Sequence, residues 1–301
     1  MKPITSKIDS VDINSPDYPS LLKEIQNPPA EIYILGKLPE NLDSRTKIAI
    51  VGTRKATGEG RLLAKNIAEK FSSQGIIIVS GLAMGIDTAA HEGALSGGSP
   101  TIAVLACGLD SIYPRQNENL AKKIIESGGA IISEYPAGAP AMPHQFLERN
   151  RIVSGLSIAT VVIEAPYDSG ALVTARLAAE QGRDVFVFPG SVNHQNYKGS
   201  HKLIRDGAIL VSSIEDIIED LGLENLKSQK SNLKNANQIS NLKNLNGDQI
   251  IILEIIKNEG GAVNVDKIIE LTKLEPQTVN QSVAIMVIQG IIKEIERGYT
   301  I

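Results

Sequence analysis

The stretch Ile48-Ala-Ile-Val-Gly-Thr-Arg-Lys55 decides how the chain is read. Four apolar residues run into a glycine, and a hydroxyl and two cations follow at once. A short apolar run closed by a turn signal predicts a buried strand, and Thr57-Gly-Glu-Gly60 marks the start of a helix. In an open α/β sheet the ligand crevice lies outside the carboxyl ends of the strands, so Arg54 and Lys55 are expected at its mouth.

On either side of that stretch the pattern repeats. Further strands are expected at Ile76–Val79, Ile102–Leu105, Ala130–Ile132, Thr160–Ile163, Val185–Phe188 and Ala208–Val211. Helical stretches of crossover length separate several of them: Arg61–Gln74, with Leu62, Ile67, Ala68 and Phe71 on an apolar side, then Asn119–Ser127 and Ser169–Gly182. Continuous apolar strands with helices between them predict a largely parallel sheet covered on both faces, an α/β fold.

Residues 1–45 read as an arm or reduced cap, broken at Tyr18-Pro19 and Asn27-Pro-Pro29, with Ile32-Tyr-Ile-Leu35 as a short edge strand. The sheet domain is assigned to 46–224. Residues 225–247 are polar and Asn-rich, the composition of a flexible linker, although irregular leucines leave a loose helix open. In 248–301 a core pattern returns. Helices are expected at Ile250–Lys257, at Val265–Thr272 and from Glu275-Pro276 to Gly290, proline being favoured in a first turn. A terminal hairpin over 291–301 completes what reads as a winged helix-turn-helix.

The chain has 301 residues and a single cysteine, Cys107, which excludes a disulfide framework and a Cys-based zinc site. The first residues lack the apolar core of a signal peptide, and no run approaches the roughly 18 apolar residues of a membrane span, which points to the cytoplasm. A net charge of −4 argues against a uniformly basic nucleic-acid surface. Residues 41–210, however, carry 17 basic and 15 acidic groups, against 9 and 13 in 211–301, so any nucleic-acid site must be a local cluster in the sheet domain.

Such clusters are present. Ser80-Gly-Leu-Ala-Met-Gly-Ile-Asp87 follows the second strand, and its glycines let backbone approach a ligand and form an anion nest. Asp87 either holds that loop, accepts a base or sugar hydrogen bond, or caps the helix at Thr88-Ala-Ala-His91. Arg149-Asn-Arg151 reads as a turn from which both cations reach one backbone track, the alternative being that one of them anchors Glu148 or Glu164. Ser169-Gly170 opens a helix whose free N–H groups favour an anion. Lys202 and Arg205 share a helical face that can line the crevice. Tyr113, Tyr135, Phe146 and Tyr167 are candidate base-stacking platforms.

Catalytic readings are poorer. The four histidines are scattered, and there is neither a Walker A loop nor a clean Gly-x-Gly-x-x-Gly fingerprint. Gly-x-Ser-x-Gly is also lacking, and Cys107 reads as a small buried group. Glu134 and Glu164 end strands, where catalytic acids often sit, which keeps a nucleotide or nucleoside phosphohydrolase open. A third possibility is a duplex-binding regulator led by the terminal module, whose third helix offers Gln277, Thr278 and Asn280 but few cations.

Several motifs in order resemble the DNA-processing protein A family, DprA, also called Smf. They are Gly52-Thr-Arg-Lys55, Ser80–Asp87, Ala106-Cys-Gly-Leu-Asp-Ser-Ile-Tyr-Pro114, Ser133-Glu-Tyr-Pro136, Arg149-Asn-Arg-Ile152, Ser169-Gly-Ala-Leu-Val-Thr-Ala175 and Lys202-Leu-Ile-Arg-Asp-Gly-Ala208, within roughly 18–211. The resemblance implies an extended Rossmann-like domain that binds single-stranded DNA without catalysis, metal or nucleotide cofactor. It also implies a homodimer that protects incoming strands in natural transformation and loads the RecA recombinase onto them. A SAM-like domain that precedes the sheet in some members is expected to be absent or reduced. The resemblance places Arg54, Lys55, Arg149, Arg151 and Lys202 around the DNA backbone, with Gly81 and Gly85 shaping the site; together with Ser80, Asp87, Ser169 and Gly170 from the clusters above, these make the expected DNA-binding set. Two positions depart from the usual pattern: Met84 stands where an arginine is usual, and Leu147 where a proline is usual.

Overall fold

The computed structural model describes residues 7–223, 247–259, 262–288, 292–295 and 298–300. The chain divides into two compact units, Met1–Leu226 and Lys227–Ile301. The expected linker at 225–247 lies outside the described residues, except for Gly247, which begins a helix.

In the first unit the order is β1 (Ile8–Asp12), α1 (Ser20–Lys23), β2 (Glu31–Gly36), β3 (Lys47–Val51), α2 (Gly58–Ser73), β4 (Ile77–Ser80), α3 (Ile86–Gly97), β5 (Thr101–Val104), α4 (Glu118–Glu126), β6 (Ala130–Ser133), α5 (Pro143–Gly155), β7 (Ala159–Val162), α6 (Gly170–Glu180), β8 (Asp184–Val187), α7 (Lys198–Arg205), β9 (Ile209–Leu210) and α8 (Ile214–Asp220). These strands form a nine-stranded sheet in the order β1-β2-β6-β5-β4-β3-β7-β8-β9. From β6 to β9 every pairing is parallel.

Strand β3 shows why its neighbours are apolar throughout. Successive side chains of a strand point to opposite faces. Ala49 and Val51 enter one core layer, with Ala171, Ala175 and Ala178 of α6 and Ile152 of α5. Ile48 and Ile50 enter the other, with Ile67 and Phe71 of α2, Ala90 of α3 and Ile217 of α8. A strand covered on both faces needs apolar residues at every position, and all five of β3 are buried. One of them is Lys47, whose Nζ donates to the carbonyls of Leu42 (2.6 Å) and Arg45 (3.0 Å).

Ile32–Leu35 is not an edge. Strand β2 lies inside the sheet, antiparallel to β1 on one side and to β6 on the other. Tyr18, Leu22, Ile25, Ile32 and Ile34 pack into the same core layer as β3 and β4. The segment before residue 46 is too short for a core of its own, and it is stable by joining that of the sheet rather than by forming a cap.

Helices α2 and α3 cross with little side chain between them. A Cβ on Gly93 would collide with the carbonyl of Lys65, and one on Gly97 with the carbonyl of Glu69 and with Ser72.

The second unit comprises α9 (Gly247–Asn258), α10 (Val265–Thr272), α11 (Pro276–Ile288) and a hairpin of β10 (Lys293–Ile295) and β11 (Gly298–Thr300). Ile252, Ile256, Ile268, Val279, Val283 and Met286 form its core. Three helices closed by a two-stranded hairpin make it winged-helix-like.

Because the α2–α3 interface has no spare volume, Gly97→Ala is expected to lower stability by about 1–3 kcal/mol. Gly58→Ala, where a Cβ meets nothing within 4 Å, should leave it unchanged or slightly raised. Urea unfolding of the two variants checks this.

Candidate nucleic-acid interface

The strand order reverses at β3. The chain runs outward through β4, β5 and β6 on one flank, then returns to begin β7 on the other. Loops leaving β3 and β7 therefore diverge and open a crevice at the carboxyl edge, where α/β sheets bind ligands. It encloses about 600 Å³, lined by Arg54, Lys55, Gly81, Asp87, Phe146, Arg149, Ser169 and Gly170, among others.

Arg54 and Lys55 are exposed at its rim, on the turn between β3 and α2. Neither has an ion-pair partner among the described residues. The Arg54 guanidinium lies 5.2 Å from the ring centre of Phe146, a cation–π contact. Phe146 in turn meets Tyr113, with ring centroids 5.4 Å apart. Tyr113 is 48% exposed, so the pair presents an aromatic surface beside a cation.

Arg149 lies underneath. The segment read as a turn is the middle of helix α5, and residues two apart on a helix point in different directions. Arg149 therefore points into the sheet and Arg151 away from the crevice. The buried Arg149 Nη1 donates to the carbonyls of Gly81 (2.7 Å) and Val104, at the ends of β4 and β5. A Cβ on Gly81 would lie 2.5 Å from that nitrogen, so only glycine admits the guanidinium. Arg151 instead makes a bidentate pair with Glu134, at 2.8 and 2.6 Å, and donates to the carbonyl of Asn27. It lines neither this crevice nor the neighbouring groove; it is an anchoring arginine, but its carboxylate partner is Glu134 rather than the expected Glu148 or Glu164.

Asp87 serves its own loop. Oδ2 accepts from the backbone N–H groups of Gly81 (3.1 Å) and Ala83 (3.3 Å). Burial pushes its carboxyl above the usual carboxylate range, and the Arg149 charge opposes that rise. Ser80 is fully buried and donates to the carbonyl of Ile50 (2.7 Å). Gly85, at φ +86°, fits against the carbonyls of Thr53 and Arg54 and so joins the two loops. Ser80 and Gly85 thus shape the crevice without lining it, and Asp87, which does line it, has Oδ2 turned to its own loop.

Ser169 caps α6, its hydroxyl accepting from the N–H of Ala171 (3.2 Å), and Ser169 and Gly170 stand at the crevice wall. Lys202 is elsewhere. It lines an adjoining groove of about 770 Å³ between α6, α7 and the β8–β9 edge, and Arg205 lines neither. The two cavities share Leu147, Asp168, Ser169 and Gly170. Met84 is 43% exposed beside Tyr113, and Tyr135 donates to Glu148 (2.6 Å).

The candidate acids and nucleophile are committed. Glu164 is fully buried, and both carboxylate oxygens accept hydrogen bonds. Burial opposes its ionisation, but donors from Thr57, Asn196 and Tyr197 outweigh that and hold the carboxyl below its usual range. Cys107 is buried, which pushes its thiol up. His91, bonded to Thr101 Oγ1 at 2.9 Å, is held to about 3 by burial and the nearby Arg149 charge, and so is neutral. Among the described residues no group of three or more His, Cys, Asp and Glu side chains is placed to hold a metal ion. No helix among them is long and apolar enough to cross a membrane.

The family model described as DNA recombination-mediator protein A matches residues 9–222. The chain belongs to that family. It is 42% identical over 211 residues to Protein Smf of Escherichia coli, a match covering 70% of this chain and 56% of the relative, so the chain spans about half the length of that protein. The X-ray structure of DNA processing protein A from Streptococcus pneumoniae superposes with a TM-score of 0.66 at 39% identity, covering 71% of this chain and 74% of the other. A Helicobacter pylori DNA processing protein A, described for its single-stranded DNA binding mode, superposes with a TM-score of 0.65 at 31% identity, covering 73% and 98%.

Sequence reasoning missed Asn196 and the contact between Arg54 and Phe146, because both join segments far apart in the chain. The one available signal was Gly60, a glycine within a helix start. A Cβ there would lie 2.5 Å from Glu164 Cδ.

The two kinds of arginine should separate in experiment. Arg149→Leu leaves Asp87 buried without its countercharge and is expected to cost about 3–5 kcal/mol of stability. Arg54→Ala should leave the unfolding midpoint in denaturant where it was.

Proposed function

We propose that the chain binds single-stranded DNA without cutting it, laying the strand across the crevice between the β3 and β7 loops. The observation that carries this reading is the setting of Arg54: an exposed guanidinium against the half-buried Phe146, whose partner Tyr113 is exposed, with Lys55 beside it. Cations hold phosphates, and aromatic faces stack bases of any sequence, each stacked base contributing roughly 1–3 kcal/mol. In a duplex the base faces are already stacked, so the platform favours single strands. Membership of the family supports the same reading, as does the binding mode named for the Helicobacter pylori relative.

Arg54 and Lys55 carry the phosphate contacts in this proposal. Arg149 fixes the crevice floor, and Ser169-Gly170 offers a helix start to a further phosphate. Lys202 meets DNA only where the strand runs on into the adjoining groove. The commitment of Glu164 to its hydrogen-bond donors argues against a phosphohydrolase in which this carboxylate activates water. Helix α11 carries no Lys or Arg, which argues against groove reading by the second unit. The wider role proposed is that of a cytoplasmic homodimer that protects DNA during transformation or recombination and passes it to RecA.

Fluorescence anisotropy with a single strand and the matching duplex tests the binding step. Single-strand affinity is expected to exceed duplex affinity and to fall with salt. Replacing Arg54 and Lys55 by neutral residues should flatten the log K against log salt slope by roughly 0.7 for each phosphate that is no longer neutralised. Equal affinities, or binding indifferent to salt, would overturn the reading.

A further inference from the structure

Beneath the cationic turn sits a carboxylate that a DNA strand in the crevice does not reach. Glu164 follows β7, fully buried. Its Oε1 accepts from the Thr57 hydroxyl (2.5 Å), and its Oε2 from the Thr57 N–H (3.0 Å) and Asn196 Nδ2 (2.9 Å). The Tyr197 hydroxyl bonds to it as well. The same Asn196 amide nitrogen donates to the carbonyl of Lys55 (3.0 Å), and the Thr53 N–H donates to the carbonyl of Glu164 (2.7 Å). The turn that presents Arg54 and Lys55 is therefore tied down at Thr53, Lys55 and Thr57, each time to Glu164 or to its Asn196 partner.

Its surroundings fit that task. Gly60 has no side chain where a Cβ would strike the carboxylate, and Gly190 none where one would strike the Tyr197 ring. Thr57 also caps α2, accepting from the Gly60 N–H (2.9 Å), so the negative charge lies at the positive end of a helix. A buried carboxylate is tolerated only when such donors surround it. Asn196 comes from the segment after β8, so the tie reaches across β7 to the β3 turn.

We infer that Glu164 and Asn196 are positioning residues for strand binding: they hold the backbone of residues 53–57 in the form that aims Arg54 and Lys55 into the crevice, and they do not touch DNA themselves. Long cationic side chains lose conformational freedom on binding, and a fixed backbone reduces what must be ordered at that moment. The inference rests on the proposed single-strand reading.

The experiment uses the full chain with Lys55→Ala, Asn196→Ala, the double variant, Thr57→Val and Thr57→Ser, together with Arg54→Ala. A labelled oligothymidylate is titrated at several salt concentrations, at a temperature where circular dichroism shows each variant folded. Asn196→Ala is expected to weaken binding about 3- to 10-fold and to lower the salt slope, since a cation has been displaced from its phosphate. In the Lys55→Ala background it should have much less effect, because both changes then remove the same interaction. Thr57→Ser, which keeps the hydroxyl, should bind like the parent, and Thr57→Val should bind like Asn196→Ala. If Asn196→Ala and Lys55→Ala add independently, Asn196 meets DNA directly and the inference falls. It falls also if Asn196→Ala changes nothing while Lys55→Ala weakens binding, or if the two Thr57 variants bind alike. Should Lys55→Ala and Arg54→Ala both bind like the parent, the single-strand reading itself fails at this crevice.

Discussion

Parallel pairing on both flanks of β3 is the constraint from which the crevice follows. A strand hydrogen-bonded to β4 on one side and β7 on the other must send its own chain to one flank and receive the returning chain on the opposite one. The loops at their carboxyl ends part as a result. No residue needs to be removed to make room there. The opening is a property of the strand order, and the residues around it decide only what it accepts.

Those residues divide by burial. Asp87, Arg149 and Glu164 are buried, and each is hydrogen-bonded to backbone or to neighbouring side chains. Arg54 and Lys55 are exposed. Buried charge is costly unless satisfied, so the first set belongs to the scaffold, where it fixes loops that lack regular pairing. The second set remains available to a ligand. This division explains how a chain of net charge −4 can still offer a cationic mouth: counting charges over the whole sequence mixes two populations with different work.

The second unit has a different character. Its core is built from aliphatic residues of all three helices, and the helix that would lie in a groove of DNA in related architectures, α11, has no charged side chain. Without cations there is little attraction for phosphate. Helix α11 thus offers no cation, whereas the turn between β3 and α2 in the first unit exposes two.

Much of the framework was legible in the chain itself. The strands from Ile48 to Phe188 reveal themselves by apolar runs bounded by turn residues, because a doubly covered strand must be apolar at every position. The three helices and hairpin of the second unit are equally plain from periodicity. Arg54 and Lys55 could be assigned to the crevice because a strand's carboxyl end determines where its next residues emerge. What only the tertiary structure decided is which way side chains face and which distant segments meet. Arg149 and Arg151 look alike in sequence, yet α5 turns one beneath the crevice and the other to Glu134. Ile32–Leu35 looks like an edge, yet β1 covers it. Lys202 is separated from the rim by the course of α7, and Asn196 meets Lys55 from 141 positions away. Apolar runs and turn residues act through near neighbours and leave a local record, whereas hydrogen bonds between remote loops depend on the packing of everything between them.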